Sequence, residues 1–345
     1  MRGPCVRGRW SLVGVALVGA GVLMLLGLAL AGAPVKPGSD QKVVFEVRPG
    51  QGAAAIAAEL QRQGLIRDRL EFRVLSGLLG WSGRLKSGRY ELGPGQSTWS
   101  ILRKIVRGEV ILIPLTVPEG FTLSQIKDLL VEKGWATPES FDRALRELDA
   151  AGELPFIPAD RSKLIQPYEG VLFPSTYYFE STATPEIILR TMARTTAEVF
   201  GPQLQARARE IGLTPWQVLT LASIIEKEAA TAQERPLISS VYHNRLRIGM
   251  ALESCPTVLY AIGKPFGSKL LYSDLAVDSP YNTYKYPGLP PGPIASPGLA
   301  CIQAALYPAD TDYYYFVSRN DGTNEFSRTF EEHQRAVLKY QGGSR

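Results

Sequence analysis

Leu219 to Met250 reads LTLASIIEKEAATAQERPLISSVYHNRLRIGM, and its first part is an apolar helical run that ends on two carboxylates, Glu226 and Glu228. Thr214 and Pro215 supply an N-cap and a first-turn proline, so the helix starts there. At about 100° per residue, Glu228 falls among Leu221, Ile224 and Ile225, whereas Glu226 lies roughly 160° away beside Leu219 and Ser223. The two carboxylates point in nearly opposite directions and cannot act on one bond as a glycosidase pair. Glu228, aimed along the apolar sector, is the one that burial would keep protonated near neutral pH, as a general acid requires. Pairing of a helix-terminal Glu228 with Lys227, Arg235 or Arg245 is the purely structural alternative. Pro236 restarts a helix through Arg247, with Gly249 as its stop. Its Asn244 and Arg245 are more polar than packing requires, which a solvated face explains as well as a cleft does.

Downstream, Cys255 to Pro297 reads as loops. Tyr281-Asn282-Thr283-Tyr284 and Gly288-Leu289-Pro290-Pro291-Gly292-Pro293-Ile294 combine turn formers with amides and hydroxyls, as the rigid walls of a binding cleft do. Tyr313 to Val317 reads as a strand, Asn320-Asp321-Gly322 as a hairpin turn and Glu325-Phe326 as the returning strand, before a helix from Thr329 to Tyr340. Upstream, residues 135–165 look helical, with Thr137-Pro138-Glu139 as a cap-like start. The run Tyr168-Glu169-Gly170-Val171-Leu172-Phe173-Pro174-Ser175-Thr176-Tyr177-Tyr178-Phe179 reads as a core strand with an edge proline, and its clustered tyrosines leave a role beside a carbohydrate groove open. A helix follows from Pro185 to about Phe200.

Residues 10–35 carry no charge, follow Arg2, Arg7 and Arg9, and are long enough to cross a hydrocarbon core of about 30 Å. Small-residue cleavage sites such as Ala29-Leu30-Ala31 allow a signal peptide, but the run is longer than a usual signal core and favours an uncleaved anchor. The positive flank places the N-terminus in the cytoplasm and the rest outside the inner membrane, in a single pass. After the linker, three segments share a Pro-Gly-type turn followed by a helical pattern, VRPGQGAAAIAAEL from Val47, LGPGQSTWSILRKI from Leu92 and VPEGFTLSQIKDLL from Val117. Each copy is too small to bury its own apolar face, so the copies must pack together or on short strands such as Arg89–Leu92 and Val110–Val117.

The balance of 45% hydrophobic and 21% charged residues is that of globular domains, and the net charge of +5 is scattered. No basic patch of the nucleic-acid kind is present, so nucleic acid is excluded as a partner. Cys5, Cys255 and Cys301 lack CxxC spacing, which argues against a metal site. No cofactor is expected.

The stretches LASIIEKEAATAQERPLISSVYHNRLRIGMALESCPTVLYAIG and YNTYKYPGLPPGPIASPG and the YYYFV strand resemble the endolytic murein transglycosylases of the YceG/MltG type. The first repeat copy is similar to LysM modules, which bind N-acetylglucosamine chains; a structural spacer is the alternative. The resemblance implies an α+β protein with a cytoplasmic tail (1–9), a transmembrane helix (10–33), a linker (34–42), a small LysM-like α/β module (43–134) and an α+β catalytic domain (135–345). It further implies a lytic transglycosylase that cuts within nascent peptidoglycan strands at the N-acetylmuramic acid to N-acetylglucosamine β-1,4 bond, leaving 1,6-anhydro ends. A muramidase-type hydrolase and a non-enzymatic peptidoglycan-binding scaffold are the alternatives. In the family's EKE motif the second glutamate is catalytic, which carries over to Glu228. Ser223, Asn244, Arg245, Asn282, Thr283 and Tyr284 carry over as cleft residues, with peptidoglycan strands, and synthases at the membrane, as partners. This chain departs from the family in having Cys255 and Ser175 where aspartates are usual. If the catalytic half is extracytoplasmic, an oxidising compartment could join Cys255 to Cys301.

Overall fold

The computed structural model describes residues 32–342. The expected tail and nearly all of the expected anchor lie outside them, and no helix among the described residues is long and apolar enough to cross a membrane. Those residues form a mixed α+β structure of twelve α-helices and three two-stranded sheets. Packing separates two compact units, one built from the residues up to Pro114 together with Tyr178–Thr182, the other from Leu115–Tyr177 and Ala183 onward.

The first unit runs β1 (Val43–Val47), α1 (Ala53–Arg62), α2 (Arg69–Leu78), β2 (Gly88–Leu92) and α3 (Thr98–Arg107). β1 and β2 pair antiparallel with Phe45 opposite Tyr90. Alternation along the strands sends Phe45, Val47, Tyr90 and Leu92 into a core closed by Ile56 and Leu60 of α1, Phe72 of α2 and Ile101 and Ile105 of α3. All three repeat copies fold as strand, turn and helix, but the turns differ physically. Gly50 and Gly120 are left-handed, at φ 77° and 75°. Gly95 is not; a Cβ there would sit 2.2 Å from the Ser39 carbonyl oxygen. The third copy comprises β3 (Leu112–Thr116) and α4 (Leu123–Glu132). Packing divides it at Pro114, so α4 belongs to the second unit rather than to a module reaching residue 134.

The second unit continues with α5 (Pro138–Ala150); the chain then passes through β4 (Thr176–Glu180, paired with β3), which from Tyr178 on belongs to the first unit, and the second unit resumes with α6 (Pro185–Val199), α7 (Pro202–Glu210), α8 (Pro215–Glu228), α9 (Arg235–Arg247), α10 (Cys255–Ala261), α11 (Leu299–Leu306), the hairpin β5 (Tyr315–Ser318) and β6 (Asn324–Ser327), and α12 (Phe330–Gln341). α8 is its axis. Val218 to Ile225 are all buried, so the helix is enclosed on every side rather than along one stripe. Around it pack Tyr242 of α9, Leu252, Tyr281, Ile294 and Cys301, Ile302 and Ala305 of α11. Each of Leu219, Leu221, Ile224 and Ile225, fully buried, contributes about 1.5–3 kcal/mol relative to exposure. The capping box of Thr214 and Gln217 and the first-turn Pro215 fix where α8 begins.

Three expectations are corrected. The helix expected across 135–165 stops at Ala150. Gly152, Pro155 and Pro158 follow, and the loop is held by a bidentate Arg161–Asp149 pair at 2.6 and 2.9 Å. Conversely, Cys255–Ala261 is helical where loop was expected, because Pro256 lies in its first turn. Of the aromatic run 168–179, expected as a core strand, only Thr176–Phe179 is strand, as the first four residues of β4.

Candidate active site

Glu228 is the last residue of α8 and lines a cleft of about 550 Å³. The cleft is lined by Arg245, Leu252, Glu253, Cys255 and Tyr284, by Phe316 to Ser318 and Gly322 to Asn324 of the hairpin, and by His333 and Val337 of α12. Ser254 Oγ donates to Glu228 Oε1 at 2.7 Å and Tyr242 OH donates to the same oxygen at 3.3 Å. The side chain is reachable from the cleft but crowded by protein elsewhere. That burial raises the carboxyl above its ordinary range, and the two hydrogen bonds pull partly back. The result is an acid biased toward protonation yet provided with donors for its anion.

Ser254 is positioned by Thr283, whose Oγ1 accepts from the Ser254 amide at 3.0 Å while its carbonyl accepts from Glu253 N at 3.1 Å. Thr257 Oγ1 closes the arrangement, 2.8 Å from the Ser254 carbonyl and 2.9 Å from Thr283 Oγ1. Tyr284 OH lies 3.1 Å from Cys255 Sγ, and burial raises both groups' proton affinity. Among the residues expected to line a cleft, only Glu228, Arg245 and Tyr284 line this one. Arg245 is mainly a knot: Nε donates to Tyr314 O at 2.6 Å, and Nη1 to the carbonyls of Ala251 and Leu252 and to Glu253 Oε2. Asn244 Nδ2 holds the carbonyls of Thr311 and Tyr313, Asn282 Nδ2 those of Leu275 and Val277, and Ser223 Oγ accepts from Ile294 N deep in the core. These amides and hydroxyls bury backbone groups of the loops and hairpin that shape the site.

Glu226 faces elsewhere, accepting from Gly298 N at 2.9 Å just before α11. Ser254, Tyr242 and Glu253 were not foreseen as parts of the site, nor was it foreseen that the expected β5–β6 hairpin would line it. Glu253 is a second carboxylate in the cleft, left-handed at φ 52° and paired with Arg245 at 3.0 Å. The hairpin is pinned to the start of α9 by Glu234, which accepts from Asn324 N and Nδ2. Of the departures from the family pattern, Cys255 lines the cleft and Ser175 gives its carbonyl to Val117 N. Cys255 and Cys301 are free thiols, one exposed and the other buried beside Glu226, so the disulfide does not form in this structure. A larger depression of about 800 Å³ lies away from Glu228, and its charged lining residues, Lys163 and Asp278, are exposed to solvent.

The YceG-like family matches residues 45–339. A Bacillus subtilis protein named endolytic murein transglycosylase is 34% identical over 89% of this chain and 87% of its own length. A protein of the same name from Streptococcus pneumoniae is 31% identical over 89% of this chain and 60% of its own. The crystal structure of a YceG-like protein from Listeria monocytogenes superposes with a TM-score of 0.60 at 34% identity, covering 86% of this chain and 99% of that one. With the match running through both units and across the Glu228 cleft, the chain belongs to the YceG-like family.

Proposed function

We propose that the protein is a membrane-anchored endolytic lytic transglycosylase of peptidoglycan, with Glu228 as its one acid and base. The observation that carries this reading is the Glu228 carboxyl, raised above its ordinary range by burial where it lines an open polar cleft, while Ser254 and Tyr242 stand ready to bind its anion. Glu228 gives its proton to the glycosidic oxygen as the bond from that oxygen to C1 of N-acetylmuramic acid breaks and an oxocarbenium-like centre develops. The resulting carboxylate, held by Ser254 and Tyr242, then takes the proton of the same sugar's C6 hydroxyl while that oxygen bonds to C1. The 1,6-anhydro ring closes, Glu228 is protonated again and no water is consumed. The nucleophile is intramolecular, so its effective molarity is large and the cleft has only to exclude water.

Glu253 favours a second reading, a hydrolase in which that carboxylate activates water across the cleft. Its ion pair with Arg245 speaks for a structural role instead. Digestion of isolated glycan strands by the full chain, with mass analysis of the new ends, separates the two: anhydro ends support the lyase and reducing ends the hydrolase. Glu228→Gln lowers the rate by about 10²–10⁴-fold, whereas retained release of anhydro fragments would sink the assignment. Persistent glycan binding without any fragment from the native chain would point to a scaffold. The anchor at residues 10–33 and a glycan-holding role for the first unit belong to the same proposal. Retention of the native chain in an alkali-washed membrane fraction tests the anchor.

A further inference from the structure

α2 in the first unit presents an apolar stripe that no described element covers. Leu70, Val74 and Leu78, each four residues on from the last, are 57%, 48% and 63% exposed, and Leu79 continues the stripe past the helix end. Phe72 and Ser76 face the core on the opposite side, so the helix is apolar on two faces while its unit uses only one. Exposed Arg69 and Arg73 flank the stripe along one edge. Half-buried Trp81, stacked on Trp99 at 5.2 Å, stands just beyond the helix end. An outward stripe of aliphatic side chains edged by arginines, with an indole close by, is the composition of a helix that lies in a membrane interface.

The path of the chain favours that occupant. The C-terminal end of the uncharged run of residues 10–35 is fastened beside α2. Arg67, two residues before α2, donates to the Pro34 carbonyl through Nε at 3.2 Å and Nη2 at 2.9 Å. Lys36 N donates to Pro94 O at 2.9 Å, so the segment expected as a linker is laid against the unit. A chain leaving the bilayer at residue 33 or so therefore has no slack with which to lift α2 away.

We propose that the exposed face of α2 rests in the headgroup region of the membrane the protein is anchored in, with Leu70, Val74 and Leu78 among the upper acyl chains and Arg69 and Arg73 on anionic phosphates. The inference rests on the anchor of the preceding section and goes beyond it: the bilayer is a second, lateral contact that fixes how the first unit stands on the surface. Arg69 and Arg73 reach the phosphates by lying along the apolar edge with their guanidinium groups outward.

The test uses the full chain reconstituted in vesicles of phosphatidylcholine with a minority of phosphatidylglycerol, with p-benzoylphenylalanine in place of Leu78 or, separately, Val74. Val44, exposed on β1, is the control position. After illumination, lipid adducts are counted by mass, and alkali extraction is run in parallel. The expected result is about tenfold more lipid adduct at positions 78 and 74 than at 44, reduced when Arg69 and Arg73 are replaced by Glu. Retained protein with adducts no higher than at position 44, or cross-linked to a second copy of the chain, overturns the docking while leaving the anchor intact. Protein released by alkali overturns both.

Discussion

Glu169 offers a direct measure of what a buried carboxyl contributes to the second unit. It is 1% exposed, with Oε1 accepting from Leu123 N at 2.8 Å and Oε2 from Tyr260 OH at 3.2 Å, and thus joins the start of α4 to α10. Burial pushes its carboxyl up to about 7, against the opposing pull of those hydrogen bonds and of nearby Lys227. An acid with a raised value is protonated in the fold but ionised in the unfolded chain above its ordinary value of 4.5. Its contribution is fully present below pH 4.5 and is lost as pH rises to about 7. At 1.36 kcal/mol per pH unit, that interval corresponds to about 3 kcal/mol. Glu169→Gln keeps an acceptor for Leu123 N and cannot ionise. The stability of the variant relative to the native protein should therefore rise by about 3 kcal/mol between pH 4.5 and pH 8. Pulsed hydrogen exchange after equilibration in urea, read on peptides covering residues 253–262, reports this unit alone. Parallel pH dependence in the two proteins would show that Glu169 does not titrate in the window and would refute the reasoning.

Ser254→Ala removes the shorter hydrogen bond to Glu228, which favours its anion, so the alkaline limb of the kcat/KM profile should move to higher pH; an unmoved limb would detach Ser254 from the acid. Gly170→Ala, at φ 75° and with Pro293 side-chain atoms 2.6 and 2.8 Å from the added Cβ, should cost about 1–3 kcal/mol of stability in urea melts. Wild-type stability in that variant would remove the claim of a close approach there. Glu226→Gln can still accept from Gly298 N, so glycan cleavage should stay within a few-fold of the native rate; a collapse to the level of Glu228→Gln would place Glu226 in the chemistry.

Much of the second unit was legible because its punctuation is local. Thr214-Pro215, Thr137-Pro138 and Thr329 each cap the helix their residue types announce, and Asn320-Asp321-Gly322 turns the hairpin it was expected to turn. The separation of Glu226 from Glu228 followed from helix geometry alone. The donors to Glu228 were not readable, because Ser254 and Tyr242 are 26 and 14 residues away and meet it only through tertiary packing. For the same reason Asn244 and Asn282 look like cleft residues in sequence but serve to satisfy buried carbonyls. A signal for α10 was present in the Ser254-Cys255-Pro256 sequence, yet the surrounding turn formers outweighed it. The divided packing of the third repeat copy has no local signature, since it shares its strand-turn-helix order with the first two and its left-handed turn glycine with the first.

Glu226, Lys227 and Glu228 are consecutive, and each reaches a different neighbour: the amide before α11, the Phe266 ring 4.2 Å from the ammonium, and the Ser254 hydroxyl. A single residue inserted or removed within α8 would turn its end by about 100° and shift it by about 1.5 Å, carrying each side chain toward a partner suited to another. The spacing between Pro215 and Glu228 is therefore fixed more tightly than the identity of the aliphatic residues that fill it. Length changes should be tolerated only on the N-terminal side of Thr214, where the loop can absorb them without rotating the helix.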